Sequence, residues 1–145
     1  MTDEEYMQEA IKEAKKAASI DEVPVGCIIV KDGMIIARAH NMKEHHQNVI
    51  AHAEMLAIKQ ASLELHNWHL DGCDMYVTLE PCMMCSGAIY QSRIRRVIIG
   101  TRDTRWPGLI NYMRDYELNY IPRIEISKLS AICQSLLKSY FHEKR

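Results

Sequence analysis

Two apolar runs joined by a tight-turn signal constrain the fold of this chain more than any other feature. Residues 25–30 (VGCIIV) and 34–40 (MIIARAH) flank the tripeptide Lys31-Asp32-Gly33. An Asp-Gly pair favours the turn whose backbone twist matches that of two adjacent strands, so this segment predicts an antiparallel β-hairpin. The chain is therefore expected to build a sheet that contains an antiparallel pair.

Helices and strands alternate around this hairpin. Apolar side chains recur at helical spacing in residues 3–19, where Thr2 or Asp3 is suited to cap the helix. The pattern then predicts helices over 51–65, 82–92 (after Pro81), 111–119 and 128–144, and strands over 74–80, 96–101 and, at an edge, 123–127. No repeat, low-complexity run or linker interrupts residues 1–145. We therefore predict one domain of the α/β class, a mixed sheet with helices on both faces.

Composition argues against several classes of protein. A formal net charge of −1 and a charged fraction of 26% disfavour long disordered segments and strong non-specific binding to nucleic acid. A net charge near zero is still compatible with a local basic patch. No run reaches the ~20 apolar residues that span a bilayer, and the N-terminus lacks a signal-peptide core. Five cysteines, an odd number, favour free thiols or metal ligands over disulfides. These features predict a cytoplasmic protein without a membrane anchor.

Metal-ligand residues occur at the starts of two predicted helices. His52 begins one, and Cys82 and Cys85 lie in the first turn of the next, where a spacing of three places both sulfur atoms on one face. By itself the cysteine pair fits a redox motif, half of a structural zinc site or part of a catalytic one. The intervening helix, turn and strand have the length that lets the two helix starts meet above one sheet edge.

The combination H-x-E…P-C-x-x-C is far more specific than either half. It is the signature of zinc enzymes in which a histidine and two cysteines hold the ion and a glutamate transfers protons. We therefore predict one Zn²⁺ per chain, bound by His52, Cys82 and Cys85, with water as the fourth ligand and Glu54 as general base. Cys73 begins the preceding strand, ~20 Å from the site at the usual rise of a strand, so it is not expected to bind the ion.

The chain resembles the zinc-dependent cytidine/deoxycytidylate deaminase superfamily, and within it the bacterial tRNA-specific adenosine deaminases. The similarity is carried by TLEPCMMCSGA, AHAEMLAI and VPVG and extends over nearly the whole sequence. The resemblance implies a cytidine-deaminase-like three-layer α/β/α fold with a five-stranded mixed sheet. It also implies a homodimer that converts the wobble adenosine of a tRNA anticodon loop to inosine.

The resemblance also assigns roles to single residues. His52, Cys82 and Cys85 match the zinc ligands, and Glu54 matches the proton shuttle. Asn41 matches an asparagine that hydrogen-bonds the target base, although an asparagine after a strand also suits a turn. Ala53 would offer backbone groups to the substrate.

The segment TRWPGL, residues 104–109, differs from the small, glycine-rich segment usual in the tRNA-acting members. Trp106 is suited either to stack on a base or ribose or to plug this loop against the neighbouring helix. Asp103 either contacts the ribose or backbone near the target or caps the following turn. The altered loop motivates an alternative function, deamination of a free nucleobase or nucleoside such as guanine, cytosine or a modified purine.

Overall fold

The computed structural model describes residues 1–144, and its centre is a five-stranded mixed sheet. The strands are β1 (Gly26–Lys31), β2 (Met34–His40), β3 (Cys73–Leu79), β4 (Arg96–Thr101) and β5 (Arg123–Ile126), in the order β2-β1-β3-β4-β5. The predicted hairpin is β1 and β2, and Asp32 and Gly33, with φ of 50° and 78°, are the two left-handed residues of its turn. The predicted edge strand is β5.

The strand directions bring chain segments that are distant in sequence to one edge of the sheet. β1 runs antiparallel to both β2 and β3, whereas β3, β4 and β5 are parallel to one another. The carboxyl ends of β2, β3, β4 and β5 therefore lie at the same edge as the start of β1. Crevices outside the carboxyl ends of strands are the usual binding positions in α/β sheets.

Six helices cover the sheet: α1 (Asp3–Ser19), α2 (Lys43–His46), α3 (Ala53–Leu65), α4 (Met83–Ser92), α5 (Leu109–Asp115) and α6 (Ser130–Glu143). The helices α1 and α6 pack on one face and α3, α4 and α5 on the other. The predicted three-layer α/β/α architecture with a five-stranded mixed sheet is thus confirmed. Thr2 caps α1 in a capping box with Glu5, as the sequence suggested.

Side chains of each central strand alternate between the two layers of helices. Cys27 and Ile29 of β1 pack toward α3 and α4, whereas Ile28 and Val30 pack toward α1. Both faces are buried, which explains why these strands read as continuous apolar runs rather than as alternating ones. Cys133 of α6 is likewise buried against the sheet, as expected for a cysteine that acts as a small hydrophobic residue.

Two helices differ from the sequence prediction. The one predicted over 111–119 spans Leu109–Asp115, because the Asn111 side chain accepts a hydrogen bond from the Gly108 backbone N–H and fixes an earlier start. The one-turn helix α2 was not predicted, since its stability depends on a distant buried residue, Glu22. Within residues 1–144, no helix is both long and apolar enough to cross a bilayer.

Candidate metal centre and active site

The residues with predicted metal-binding roles lie at the starts of two neighbouring helices. His52 is the N-cap of α3 and Cys82 is the N-cap of α4, each with an extended backbone conformation. Both helices follow connections at the carboxyl edge of the sheet, and they pack against each other. The first turns of α3 and α4 therefore converge on one point above that edge.

The three donor atoms are close enough to share an ion. The Sγ atoms of Cys82 and Cys85 lie 3.7 Å and 3.6 Å from Nδ1 of His52. Donors of this kind around a tetrahedral zinc, with Zn–S of about 2.3 Å and Zn–N of about 2.0 Å, stand about 3.6 Å apart. One imidazole nitrogen and two thiol sulfurs, all within 4.8 Å of one another, fit zinc by both chemistry and spacing.

The surroundings favour the ionised form of the Cys82 thiol, which is less buried than that of Cys85. A hydrogen bond from Cys85 and another from His52 outweigh the effect of partial burial and lower the pKa of Cys82 to about 4. The same interaction with Cys82, together with burial, raises the pKa of Cys85. The hydrogen bond with Cys82 also raises the pKa of His52. The site is thus suited to a cation, because a cation would stabilise the thiolate form of both cysteines.

Glu54 lies beside this cluster in the first turn of α3. It is 4% exposed, and burial raises the pKa of its carboxyl group to about 7, partly opposed by hydrogen bonds from its own backbone N–H and from Cys85. A carboxyl group with a pKa near neutrality accepts and returns a proton readily at physiological pH. The position and environment of Glu54 agree with the predicted role of general base.

Asn41 and Ala53 lie next to the metal ligands. Asn41 follows β2 and is 9% exposed, and its Oδ1 accepts a hydrogen bond from the Lys43 backbone N–H at 3.1 Å. This is the turn role anticipated as the alternative, and it leaves the second lone pair of Oδ1 for another donor. The next residue, Met42, donates its backbone N–H to the Ala51 carbonyl, which brings Asn41 close to His52. Ala53 is fully buried as the first residue of α3.

The residues predicted downstream of β4 form a compact loop. Asp103 accepts hydrogen bonds from the backbone and guanidinium of Arg105, and that guanidinium holds the pKa of Asp103 below its usual value. Trp106 is 56% exposed, and the Arg105 guanidinium lies 4.3 Å from the centre of its ring. Trp106 therefore does not plug the loop against a helix; it presents an aromatic face to solvent.

A cavity of about 940 Å³ lies between this loop and α6. It is lined by Val23, Leu79, Asp103 and Arg105, together with α6 residues such as Phe141. None of the metal ligands lines it. One of its lining residues, Val23, accepts a hydrogen bond through its carbonyl from the Asn41 side chain.

Two buried carboxylates at this edge were not singled out from the sequence. Glu22, 1% exposed, accepts hydrogen bonds from the first residues of α2, and Glu80, 3% exposed, lies between β3 and Cys82. Each is a charged residue directly beside an apolar residue in the sequence, Val23 after Glu22 and Leu79 before Glu80. That adjacency is the signal that would have found them, because a buried charge needs dedicated partners.

Comparisons with known proteins agree with this site. The family model for the cytidine and deoxycytidylate deaminase zinc-binding region matches residues 1–101. The tRNA-specific adenosine deaminase of Bacillus subtilis is 45% identical over 146 residues, which cover 99% of this chain and 91% of that protein.

Two solved structures extend the comparison. One, from a study of A-to-I editing by tRNA:A34 deaminases at the wobble position of transfer RNA, has a TM-score of 0.87 and 34% identity, covering 92% of this chain and 99% of that one. The guanine deaminase of Bacillus subtilis has a TM-score of 0.70 and 28% identity, covering 98% and 95%. The chain therefore belongs to the zinc-binding cytidine and deoxycytidylate deaminase family, in the branch of the tRNA-specific adenosine deaminases.

Proposed function

We propose that this protein converts the wobble adenosine of a tRNA anticodon loop to inosine by hydrolytic deamination. The observation that carries the proposal is 45% identity to a tRNA-specific adenosine deaminase over 99% of the chain, combined with a complete set of metal-binding and proton-transferring side chains. The guanine deaminase, at 28% identity, is a more distant relative, so the free-base alternative has less support.

His52, Cys82 and Cys85 would hold one zinc ion per chain. When bound there with a water molecule as its fourth ligand, zinc supplies a nucleophile at neutral pH by lowering the pKa of that water. The N-termini of α3 and α4 add favourable electrostatics, because their positive ends point toward the two thiolates.

Glu54 would carry the protons of the reaction. It accepts a proton from the attacking water as oxygen adds to C6 of adenine, and it gives that proton to N1 of the ring. The hydroxyl now on C6 gives up a second proton, which passes through the same carboxylate to the amino group. The C6–N6 bond then breaks, ammonia leaves and the C6–O bond becomes a carbonyl. The pKa of about 7 suits both directions of transfer, and burial keeps Glu54 from exchanging its proton freely with solvent.

The residues around this point would hold the substrate. Asn41 retains hydrogen-bonding capacity for the target base, and Ala53 offers backbone groups at the start of α3, ahead of the helical hydrogen-bond ladder. Trp106 provides an exposed ring for stacking on a neighbouring base, as aromatic residues do with single-stranded RNA. Asp103, held by Arg105, lines the cavity that would receive the ribose and backbone beside the target.

Residues 1–145 would act as one domain and would form a homodimer. Exposed apolar side chains on α4 and just beyond α5 support the homodimer, since Met83 is 68% exposed and Tyr116 is 62% exposed beside a small apolar groove. All five cysteines are free thiols, which agrees with a reducing compartment such as the cytoplasm, where tRNA is modified.

The experiment offers the zinc-loaded protein an anticodon stem-loop RNA with adenosine at the wobble position. Parallel reactions contain the same stem-loop with the adenosine moved one position away, and free adenosine, guanine and cytosine. Inosine formed only at the wobble position, measured after nuclease digestion and chromatography, supports the proposal. Turnover of a free base or nucleoside with none of the RNA contradicts it.

A further inference from the structure

Glu80 has no role in the proposed deaminase reaction, although it lies close to a metal ligand in the sequence. It follows β3 directly and precedes Pro81 and the ligand Cys82, and its side chain is fully buried. Its backbone N–H donates to the Thr101 carbonyl at the end of β4, at 2.8 Å. Glu80 therefore lies between the metal-binding segment and the start of the 102–108 loop, which carries Asp103 and Trp106.

The carboxylate of Glu80 contacts both ends of that loop. One oxygen accepts a hydrogen bond from Nε of Arg102 at 3.2 Å, at the beginning of the loop. The other accepts one from the backbone N–H of Ile110 at 2.9 Å, just after its end. A single buried side chain thus closes the base of the 102–108 loop.

A second set of hydrogen bonds reinforces the same closure. Oδ1 of Asn111 accepts from the Arg102 guanidinium at 3.1 Å and from the Gly108 N–H at 3.0 Å. The Leu109 N–H donates to the Pro81 carbonyl at 3.1 Å, so the loop end is also joined to the residue before Cys82. Displacement of the Glu80 carboxylate would therefore loosen the connection between the loop and the metal-binding segment.

Gly108 provides the space that this arrangement needs. A Cβ atom at position 108 would lie 2.6 Å from Cδ and 2.8 Å from Cγ of Glu80, closer than side chains pack. Gly108 has φ of −128°, which any residue adopts, so the contact with Glu80 is the reason for a glycine here. An alanine would have to push Glu80 or the loop aside.

The cost of burying this charge indicates that the contacts matter. A buried carboxylate is unfavourable unless it is paired and hydrogen-bonded, and an apolar side chain would fill the same space without that cost. The interactions of Glu80 are all with the loop, the end of β4 or the start of α5. The buried carboxylate of Glu80 therefore serves to hold one loop in position.

We propose that Glu80 is a positioning residue that fixes the 102–108 loop relative to the metal centre, and so sets how tightly RNA binds. This inference rests on the proposed function, because the loop is taken to contact RNA beside the target base. Glu80 itself would contact neither substrate nor metal. It would act through Arg102 and the backbone of Ile110.

The test uses two variants that disturb the contacts between Glu80 and the 102–108 loop in different ways. Glu80→Gln keeps the shape but presents an amide N–H₂ where one of the two donors needs an acceptor. Gly108→Ala keeps Glu80 and crowds it. Glu125→Gln is the matched control, because Glu125 also pairs with an arginine, Arg96, but its contact lies at the opposite end of β4.

Four quantities are measured for each protein: zinc content, thermal midpoint, kcat and KM for the stem-loop RNA, and the rate of tryptic cleavage after Arg105. We expect Glu80→Gln and Gly108→Ala to retain one equivalent of zinc. Both should raise KM about tenfold, which corresponds to the loss of one charge-assisted hydrogen bond. Their kcat should change much less, and the loop should be cut several times faster. The Glu125→Gln control should match wild type in KM and in cleavage.

Two results would overturn the inference: wild-type KM and cleavage in both variants, or loss of zinc and kcat with KM and cleavage unchanged. If Glu80→Gln does not fold, Gly108→Ala decides by the same criteria. Absence of RNA deamination by the wild type would reject the proposed function alone. The cleavage rates would still show whether Glu80 fixes the loop.

Discussion

His52 and Cys82 occupy equivalent positions on two different helices: each is the N-cap residue, and the imidazole Nδ1 of one lies 3.7 Å from the sulfur of the other. Neither side chain makes a capping hydrogen bond to its own helix. Both side chains are thus available to a ligand, and the positive ends of two helices face the same point. This symmetry makes the site suitable for a thiolate-bound cation.

Removal of the metal should abolish activity without unfolding the core. We expect a strong chelator to eliminate deamination and added Zn²⁺ to restore it, since the helices that follow the donors are held in the core by buried apolar side chains such as Ala57 and Ile89. Cys82→Ser should lower bound zinc well below one equivalent, measured by elemental analysis, because an alcohol replaces a thiolate. Cys73→Ser, which alters a buried cysteine at the far end of β3, should retain zinc. Full zinc in Cys82→Ser would refute the assignment of the ligands.

Replacement of Glu54 should separate zinc binding from chemistry. Glu54→Gln keeps the size of the side chain but loses its ability to take a proton, so kcat should fall by about 10²–10⁴-fold with zinc content unchanged. Glu64→Gln, an exposed position on the same helix, is the control and should keep wild-type kcat. Single-turnover rates of Glu54→Gln equal to wild type would disprove the role of general base.

Trp106 should contribute to RNA binding through its ring. Base stacking on an aromatic side chain contributes about 1–3 kcal/mol, so Trp106→Ala should raise KM for the stem-loop by about five- to hundredfold, and Trp106→Phe should recover part of the loss. Trp68 is the matched control, since it is exposed to a similar degree, 62% against 56%. An equal loss in Trp68→Ala, or no loss in Trp106→Ala, would count against a specific stacking role.

Glu22 should stabilise the fold in a pH-dependent way. Burial opposes its ionisation, but hydrogen bonds from the backbone and side chain of His45 and from the backbone of Glu44 outweigh it and lower the pKa of the carboxyl group. Its stabilisation is therefore present above the unfolded pKa, about 4.3, and is lost as the pH falls through the folded value. At pH 7, Glu22→Gln should lower the free energy of unfolding by about 1–3 kcal/mol.

Urea unfolding at neutral and acidic pH tests this expectation. The difference between Glu22→Gln and wild type should shrink as the pH falls below the unfolded value of about 4.3 and through the lower folded pKa of Glu22. Glu117→Gln, at an exposed position, should leave stability nearly unchanged at either pH. A constant difference across the whole range would show that Glu22 acts by packing rather than by charge.

Much of the fold follows from local patterns. The Asp-Gly turn predicted the hairpin. The apolar stripe at helical spacing predicted α1 over residues 3–19, the same limits that the structure shows. Such features need only neighbouring residues: a left-handed turn position, a side chain that reaches a backbone N–H, apolar residues on one helical face. The short helix α2 was missed because Glu22, distant in sequence, holds it by hydrogen bonds. The start of α5 was missed because the side chain of Asn111, inside the helix, fixes it at Gly108.

The sequence by itself determined the chemistry of this protein. A histidine, a glutamate and two cysteines, at spacings that few other sites share, define a metal-binding deaminase without reference to coordinates. Only the tertiary structure decided how those residues are held and what borders them. It left Trp106 exposed, next to the cavity-lining residue Arg105, and it buried Glu80 between the 102–108 loop and the metal-binding segment. These relations depend on strands β3 and β4 pairing in parallel across the intervening residues 80–95, which form helix and turn. No local pattern records which groups such a pairing brings together.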